Sequence, residues 1–178
     1  MKLDLITNKN DEFYTPKYAI TPILKYLKAN STIWCPFDTE ESLYVKLLRK
    51  EGHKVIHTHI INYGEDFLKY NEPPMPKCDY IISNPPYSLK KEVLEKLFEL
   101  KIPFAMLLGV VGIFESKARF NLFKNNNFEI MYFDKRISYF KDYADQIPAL
   151  NPPFSSVYIT QNILPKQIVF ETINKKDL

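Results

Sequence analysis

Apolar positions along this chain follow a helical period in some stretches and form short unbroken runs in others, and the two kinds of stretch alternate. Between residues 18 and 27 they fall at Ile20, Ile23, Leu24 and Leu27, one face of a helix, with Pro22 near its first turn. Residues 32–35 predict a short buried strand. Leu43, Val45, Leu47 and Leu48 predict a helix over 40–50, which Gly52 can end. A second strand is expected over 54–57 and a third over 80–83, the latter stopped by two prolines. From 88 to 100, Leu89, Val93, Leu94, Leu97, Phe98 and Leu100 alternate with lysines and glutamates, as in an amphipathic helix. Residues 103–111 read as a continuous apolar strand, 115–123 as a helix and 128–133 as another strand. Two late strands, 154–160 and 167–172, have no helical pattern between them.

This order predicts an α/β domain with a mostly parallel sheet and an antiparallel pair at its C-terminal end. In open sheets of this kind the ligand lies at the carboxyl ends of the strands. The proline-rich loop 71–77 and the turn at Asn125, Asn126 and Asn127 do not read as linkers, and no repeat is present, so residues 1–178 are expected to form a single domain.

Composition narrows the classes. Apolar residues make up 46% of the chain and aromatics 15%, enough for a core and too many for a disordered chain. No apolar run approaches the roughly 18 to 20 residues of a membrane span. The opening Met1, Lys2, Leu3, Asp4 lacks the apolar stretch of a secretory signal. Cys35 and Cys78 are too few for a disulfide framework and are expected as free thiols in a reduced cytoplasmic compartment. The net charge of +3 decides nothing about nucleic acid. The four glycines, at 52, 64, 109 and 112, form no G-x-G, which excludes a dinucleotide-binding fingerprint and a Walker A loop. His53, His57 and His59 lack catalytic-zinc spacing, and no metal is expected.

The chemistry is concentrated at the end of the third strand, in Ser83, Asn84, Pro85, Pro86 and Tyr87. The Asn84 amide oxygen and the Pro85 carbonyl can both accept hydrogen bonds from one planar NH2 group. Two prolines stiffen the loop. Tyr87 offers a face on which a flat ring can stack. Two acceptors draw an amine's lone pair out of conjugation and make it more nucleophilic. A second match, Asn151, Pro152, Pro153 and Phe154, opens a strand instead of ending one and reads as a turn.

The stretch from Asp79 to Tyr87 resembles the catalytic motif of amino methyltransferases that use S-adenosylmethionine, most closely that of small phage-type DNA adenine methyltransferases. The resemblance implies a Rossmann-like methyltransferase fold with helices on both faces, and Asn84, Pro85, Pro86 and Tyr87 as catalytic. Phe13, Tyr14, Thr15 and Pro16 are similar to the family's N-terminal cofactor-binding segment; equally, Thr15 can cap the first helix with Pro16 at its first position. Asp66 is implied to bond the cofactor's adenine amine and Phe67 to pack on its ring; otherwise Asp66 is a turn residue that caps a helix. Asp134 to Phe140 resembles a stretch at the rim of the target-base pocket, or else an edge strand with exposed charges.

Two places depart from the family pattern. Its first strand ends in Asp-Pro-Phe-x-Gly-x-Gly; here Pro36 and Phe37 match, Cys35 replaces the Asp, and both glycines are missing. Asp38 or Glu40 is the candidate for the cofactor's ammonium. The second strand, which normally ends in an acid, runs into His57, Thr58 and His59. These departures leave open a chain of this fold that binds nucleic acid or a host protein without cofactor. The motif alone leaves open RNA or a protein glutamine as substrate. The resemblance implies a DNA partner, with RNA as the alternative, in the cytoplasm of a bacterium or phage-infected host. There is no room for a separate target-recognition domain, so base readout would fall to short loops or a specificity partner. Lysines 69, 77, 90, 91, 135 and 141 are candidates for phosphate contact, although most read as solvated surface.

Overall fold

The computed structural model describes residues 14–148 and 153–177. The readings placed on the first four residues, on Phe13, and on Asn151 and Pro152 lie outside the described residues.

The first helix, α1 (Lys17–Leu24), buries Tyr18, Ala19, Ile20 and Ile23. It stops short of Leu27 because the amides of Tyr26 and Leu27 reach back only three residues, tightening the last turn. Strand β1 (Thr32–Cys35) follows. Helix α2 (Leu43–Lys50) begins later than its apolar spacing suggests, since the Ser42 side chain accepts from the Tyr44 amide and caps it. Gly52, at φ +85°, ends it as expected and leads into β2 (Lys54–His57). A one-turn helix, α3 (Ile60–Tyr63), and a 3₁₀ turn (Phe67–Lys69) come next. Both are too short to show a period.

Strand β3 (Tyr80–Ser83) runs through the Asn84 loop and a 3₁₀ turn (Tyr87–Leu89) into α4 (Lys90–Leu100). Strand β4 (Phe104–Gly109), helix α5 (Lys117–Lys124) and strands β5 (Glu129–Phe133), β6 (Ser156–Gln161) and β7 (Ile168–Glu171) complete the chain.

The strands form one seven-stranded sheet in the order β2-β1-β3-β4-β6-β5-β7. Strands β2, β1, β3 and β4 pair in parallel, β6 is antiparallel to both β4 and β5, and β7 is parallel to β5. The two late strands run in opposite directions, as expected, with β5 standing between them. Alternating side chains feed two cores. Ile33, Ile82 and Leu107 meet Ile20 of α1 and Val45 of α2 on one face. Trp34, Ile81 and Met106 meet Val93 of α4 and Phe123 of α5 on the other. Helices therefore cover both faces of a mostly parallel sheet, the class the pattern predicts. Among the described residues no helix is long and apolar enough to cross a membrane.

Candidate active site

Because β1, β2 and β3 are parallel, the loops that leave them emerge on one edge of the sheet. There they enclose a cleft of about 430 Å³, within the range of small-molecule sites.

From the loop after β1 come Pro36, Phe37 and Asp38. This loop turns without glycine because none of residues 36–42 adopts a positive φ. The Asp38 amide donates to the Thr58 carbonyl at 3.2 Å, tying the loop to the end of β2. Its buried carboxylate accepts from the hydroxyls of Ser42 and Ser83. Burial pushes this carboxyl up to about 6, against the pull of the two hydroxyls and of His57. Glu40 is absent from the cleft lining. It is exposed and pairs with Arg49 and with His57 Nε2 (2.8 Å), and the bond from Arg49 chiefly holds its carboxyl below the usual range. Of the two acids considered for the cofactor's ammonium, only Asp38 is at the cleft.

The N-terminal segment contributes Tyr14 and Thr15. Tyr14 pairs its backbone with Phe140, at 3.3 and 2.9 Å, and sets its ring 4.5 Å from that of Tyr143. Pro16, not Thr15, occupies the N-cap of α1. The capping role is thus removed from Thr15, whose buried side chain lines the cleft. Pro16 is buried and is not among the residues that line the cleft.

Asp66 and Phe67 both line the cleft. The Asp66 side chain accepts from the Leu68 amide at 3.0 Å and caps the 3₁₀ turn, so the capping role is also realised. Phe67 is buried, its ring 5.3 Å from Trp34 and 5.1 Å from Phe37.

In the loop after β3, Asn84 and Pro86 line the cleft. Pro85 is buried and is not among the residues that line the cleft. Tyr87 is not among the residues that line the cleft; its ring meets that of Phe154 edge to face at 5.5 Å, and the Lys90 ammonium lies 5.4 Å from its centroid. The hydroxyl meets that of Tyr139 at 2.6 Å, and Tyr139 donates onward to Ser156 at 2.8 Å. Burial pushes the Tyr87 phenol well up. Phe154, from the second proline motif, thus packs on the tyrosine of the first. A Cβ at Gly109 would stand 2.9 Å from the Phe154 ring, so any other residue there would displace that ring. The hydroxyl of Tyr87 is structural: Tyr87→Phe is expected to lower stability by about 1 kcal/mol in urea unfolding, by removing one buried hydrogen bond.

Asp134 to Phe140 is not an edge strand with exposed charges throughout. Asp134, Lys135 and Arg136 are exposed, while Ile137 to Phe140 are buried and deliver Tyr139 to Tyr87. Just beyond it, Asp142, Tyr143 and Ala144 line the cleft and were not foreseen. Tyr143 donates to Ser42 at 3.3 Å. The only signal for it was the aromatic run continuing past Phe140.

Of the histidines only His59 lines the cleft; His53 accepts from the Ser31 amide at 3.2 Å and His57 faces Glu40. Among the described residues no three His, Cys, Asp or Glu side chains gather as metal ligands would. The cleft is acidic. Asp38, Glu41, Glu65, Asp66 and Asp142 line it, and among the described residues no lysine or arginine does. It favours a cationic ligand with a flat apolar part.

No family model matches this sequence, and no curated protein matches it. Solved structures do resemble the fold. A modification subunit described for a type I restriction enzyme of Vibrio vulnificus superposes with a TM-score of 0.52 at 10% identity, covering 96% of this chain and 49% of that one. The chain therefore spans about half the length of that subunit. The 23S rRNA methyltransferase ErmE superposes with a TM-score of 0.50 at 12% identity, covering 86% of this chain and 71% of that one. A TehB-like S-adenosylmethionine-dependent methyltransferase of Corynebacterium glutamicum reaches 0.47 at 12% identity, with 81% and 87% covered. At such identities the first two likenesses speak to fold alone, and the fold they establish for this chain is a Rossmann-like α/β fold.

Proposed function

We propose that this chain transfers a methyl group from S-adenosylmethionine to an exocyclic amine of a nucleic-acid base, N6 of adenine in DNA. The observation that carries the reading is that Asn84 and Pro86, from the motif, share one cleft with Asp38, Asp66 and Phe67. The carboxylates suit a cofactor that bears a sulfonium and an ammonium, and the Phe37 and Phe67 rings suit its adenine. Proteins of similar fold, at 10% and 12% identity, include a restriction-modification subunit and an rRNA methyltransferase, which supports a nucleic-acid substrate.

In this reading Asp38, fixed by Ser42 and Ser83, holds the ammonium. Asp66 Oδ2 is the atom offered to the adenine amine: Oδ1 is engaged by the Leu68 amide, and the Lys69 ammonium stands 3.9 Å from Oδ2, outside the cleft lining. When bound, the cofactor supplies an electrophilic methyl group. Asn84 and the Pro85 carbonyl accept from the target NH2 and orient its lone pair. The surplus proton on nitrogen is left to water, because neither acceptor is a base. Catalysis comes from positioning and preorganised acceptors. Cys35 has no part as a nucleophile: it is fully buried and its thiol is pushed far up by burial.

Tritium transfer from labelled cofactor to DNA, followed by nucleoside analysis, tests the reaction. Label in N6-methyladenine is expected; label in N4-methylcytosine, RNA or protein glutamine instead would show another amine to be the substrate. Asp66→Ala is expected to weaken cofactor binding about tenfold in calorimetry, and to cost about 0.5–1 kcal/mol in stability through the lost cap. Unchanged affinity would move the adenine contact elsewhere.

A further inference from the structure

The cleft accounts for a cofactor and an amine and leaves the nucleic-acid backbone without a place. Its acidic lining repels phosphates, so the strand carrying the target base has to rest outside it. Asn84 marks the border. On one side lie the loops after β1 and β2, which form the cleft. On the other side β4 pairs in parallel with β3, so the segment that follows β4 emerges beside the Asn84 loop. Lys90 joins the two, donating to the Val111 carbonyl at 2.6 Å while lying over the Tyr87 ring.

That segment, residues 110–124, has the opposite character to the cleft. It carries Lys117, Arg119 and Lys124 against a single acid, Glu115. It also exposes large apolar side chains: Val111 by 60%, Phe114 by 50% and Phe120 by 60%. On α5, Lys117, Phe120 and Lys124 are spaced i, i+3 and i+7 and share one exposed face. An aromatic ring between two cations is the pattern that stacks on bases while the charges meet phosphates. The fold itself gives no reason for these charges. Lys117 and Arg119 stand in the first turn of α5, where the helix dipole disfavours cations and where no acid is present. Arg119 Nε is buried with no hydrogen-bond partner among the described residues.

We infer that the Lys117, Phe120 and Lys124 face of α5, together with Val111 and Phe114 in the loop before it, is the surface on which DNA rests while its target base is presented to Asn84. This inference depends on the amine-methylation reading above. The phosphates meet Lys117 and Lys124, Phe120 stacks on a base next to the extruded one, and Val111 and Phe114 fill the gap that base leaves.

The test is fluorescence anisotropy of the intact chain with a labelled DNA duplex and with RNA of the same sequence, across a series of salt concentrations. Lys117→Glu is expected to weaken DNA binding about tenfold and to lower the slope of log affinity against log salt by about 1. Its melting temperature should hold or rise, since a carboxylate suits a helix N-terminus. Phe120→Ala is expected to weaken binding about tenfold with the salt slope unchanged, because stacking carries no charge. Cofactor affinity by calorimetry should be unchanged in both. DNA affinity kept by both variants overturns the surface, even where the wild type methylates DNA. Tighter binding of RNA than of DNA overturns the choice of DNA. A wild type that binds DNA through this face and transfers no methyl group to it overturns the enzyme reading and leaves the surface standing.

Discussion

Replacing Asn84 with alanine is expected to lower methyl transfer by about 10²–10³-fold, the loss typical of one preorganised group that acts on the transition state. Asn84 stands at the end of β3 on the border of the cleft, where its amide oxygen can accept from a target NH2. That bond strengthens as the nitrogen becomes nucleophilic, so the loss should fall on kcat and little on cofactor affinity. Single-turnover transfer to DNA and calorimetry with the demethylated cofactor product separate the two effects. A matching loss of cofactor affinity would place Asn84 at the cofactor instead of the amine. Asn151→Ala serves as the counter-test and should spare activity; equal losses in the two variants would undo the assignment.

Asp38→Asn is expected to weaken cofactor binding by about 10- to 100-fold at neutral pH, the worth of one charge-assisted hydrogen bond in a buried setting. Asparagine keeps the shape and an acceptor for one serine hydroxyl while removing the charge. The wild type should also bind cofactor more weakly as pH falls through about 6, where the carboxyl takes up its proton. The asparagine variant should lack that step.

Stability should respond in the opposite sense to binding. The folded carboxyl titrates at about 6 and the unfolded one at 3.8, so the folded state holds the proton more tightly. The contribution of this group is therefore complete below pH 3.8 and is lost as pH rises through about 6, an effect of about 3 kcal/mol. The wild type minus Asp38→Asn difference in unfolding free energy should thus decline between pH 4 and pH 7. A difference independent of pH over that range would show that the carboxyl is not shifted.

What the sequence determined by itself is whatever depends on neighbours along the chain. Each strand run it showed is a strand, because a buried strand has to be apolar over consecutive residues. The helices at Ile20, Val45, Val93 and Phe123 follow from their spacing, and Gly52 ends α2 for a local reason, its positive φ. The position of Asn84 at a strand end followed from two prolines that no strand interior accepts. Its consequence, a place at the carboxyl edge of a parallel sheet, needed only the alternation of elements.

Tertiary structure decided what depends on contacts across the chain. Strand β6 enters between β4 and β5, and a strand's own residues do not name its partners. The sequence offers Thr15 as N-cap with Pro16 at the first helical position, and the packing of α1 put Pro16 at the N-cap and Thr15 at the cleft. Asp38 and Glu40 are two residues apart and both acidic; Ser83, from β3, and Ser42 gather one of them, while Arg49 and His57 hold the other outside. Tyr87 read as an open ring face because its sequence neighbours do not include Phe154 or Tyr139, which take up that ring and its hydroxyl from 67 and 52 residues away. Hydrogen bonds and ring contacts between residues so far apart form only once the sheet has brought them together, and it is these contacts that settle which side chains face the cleft.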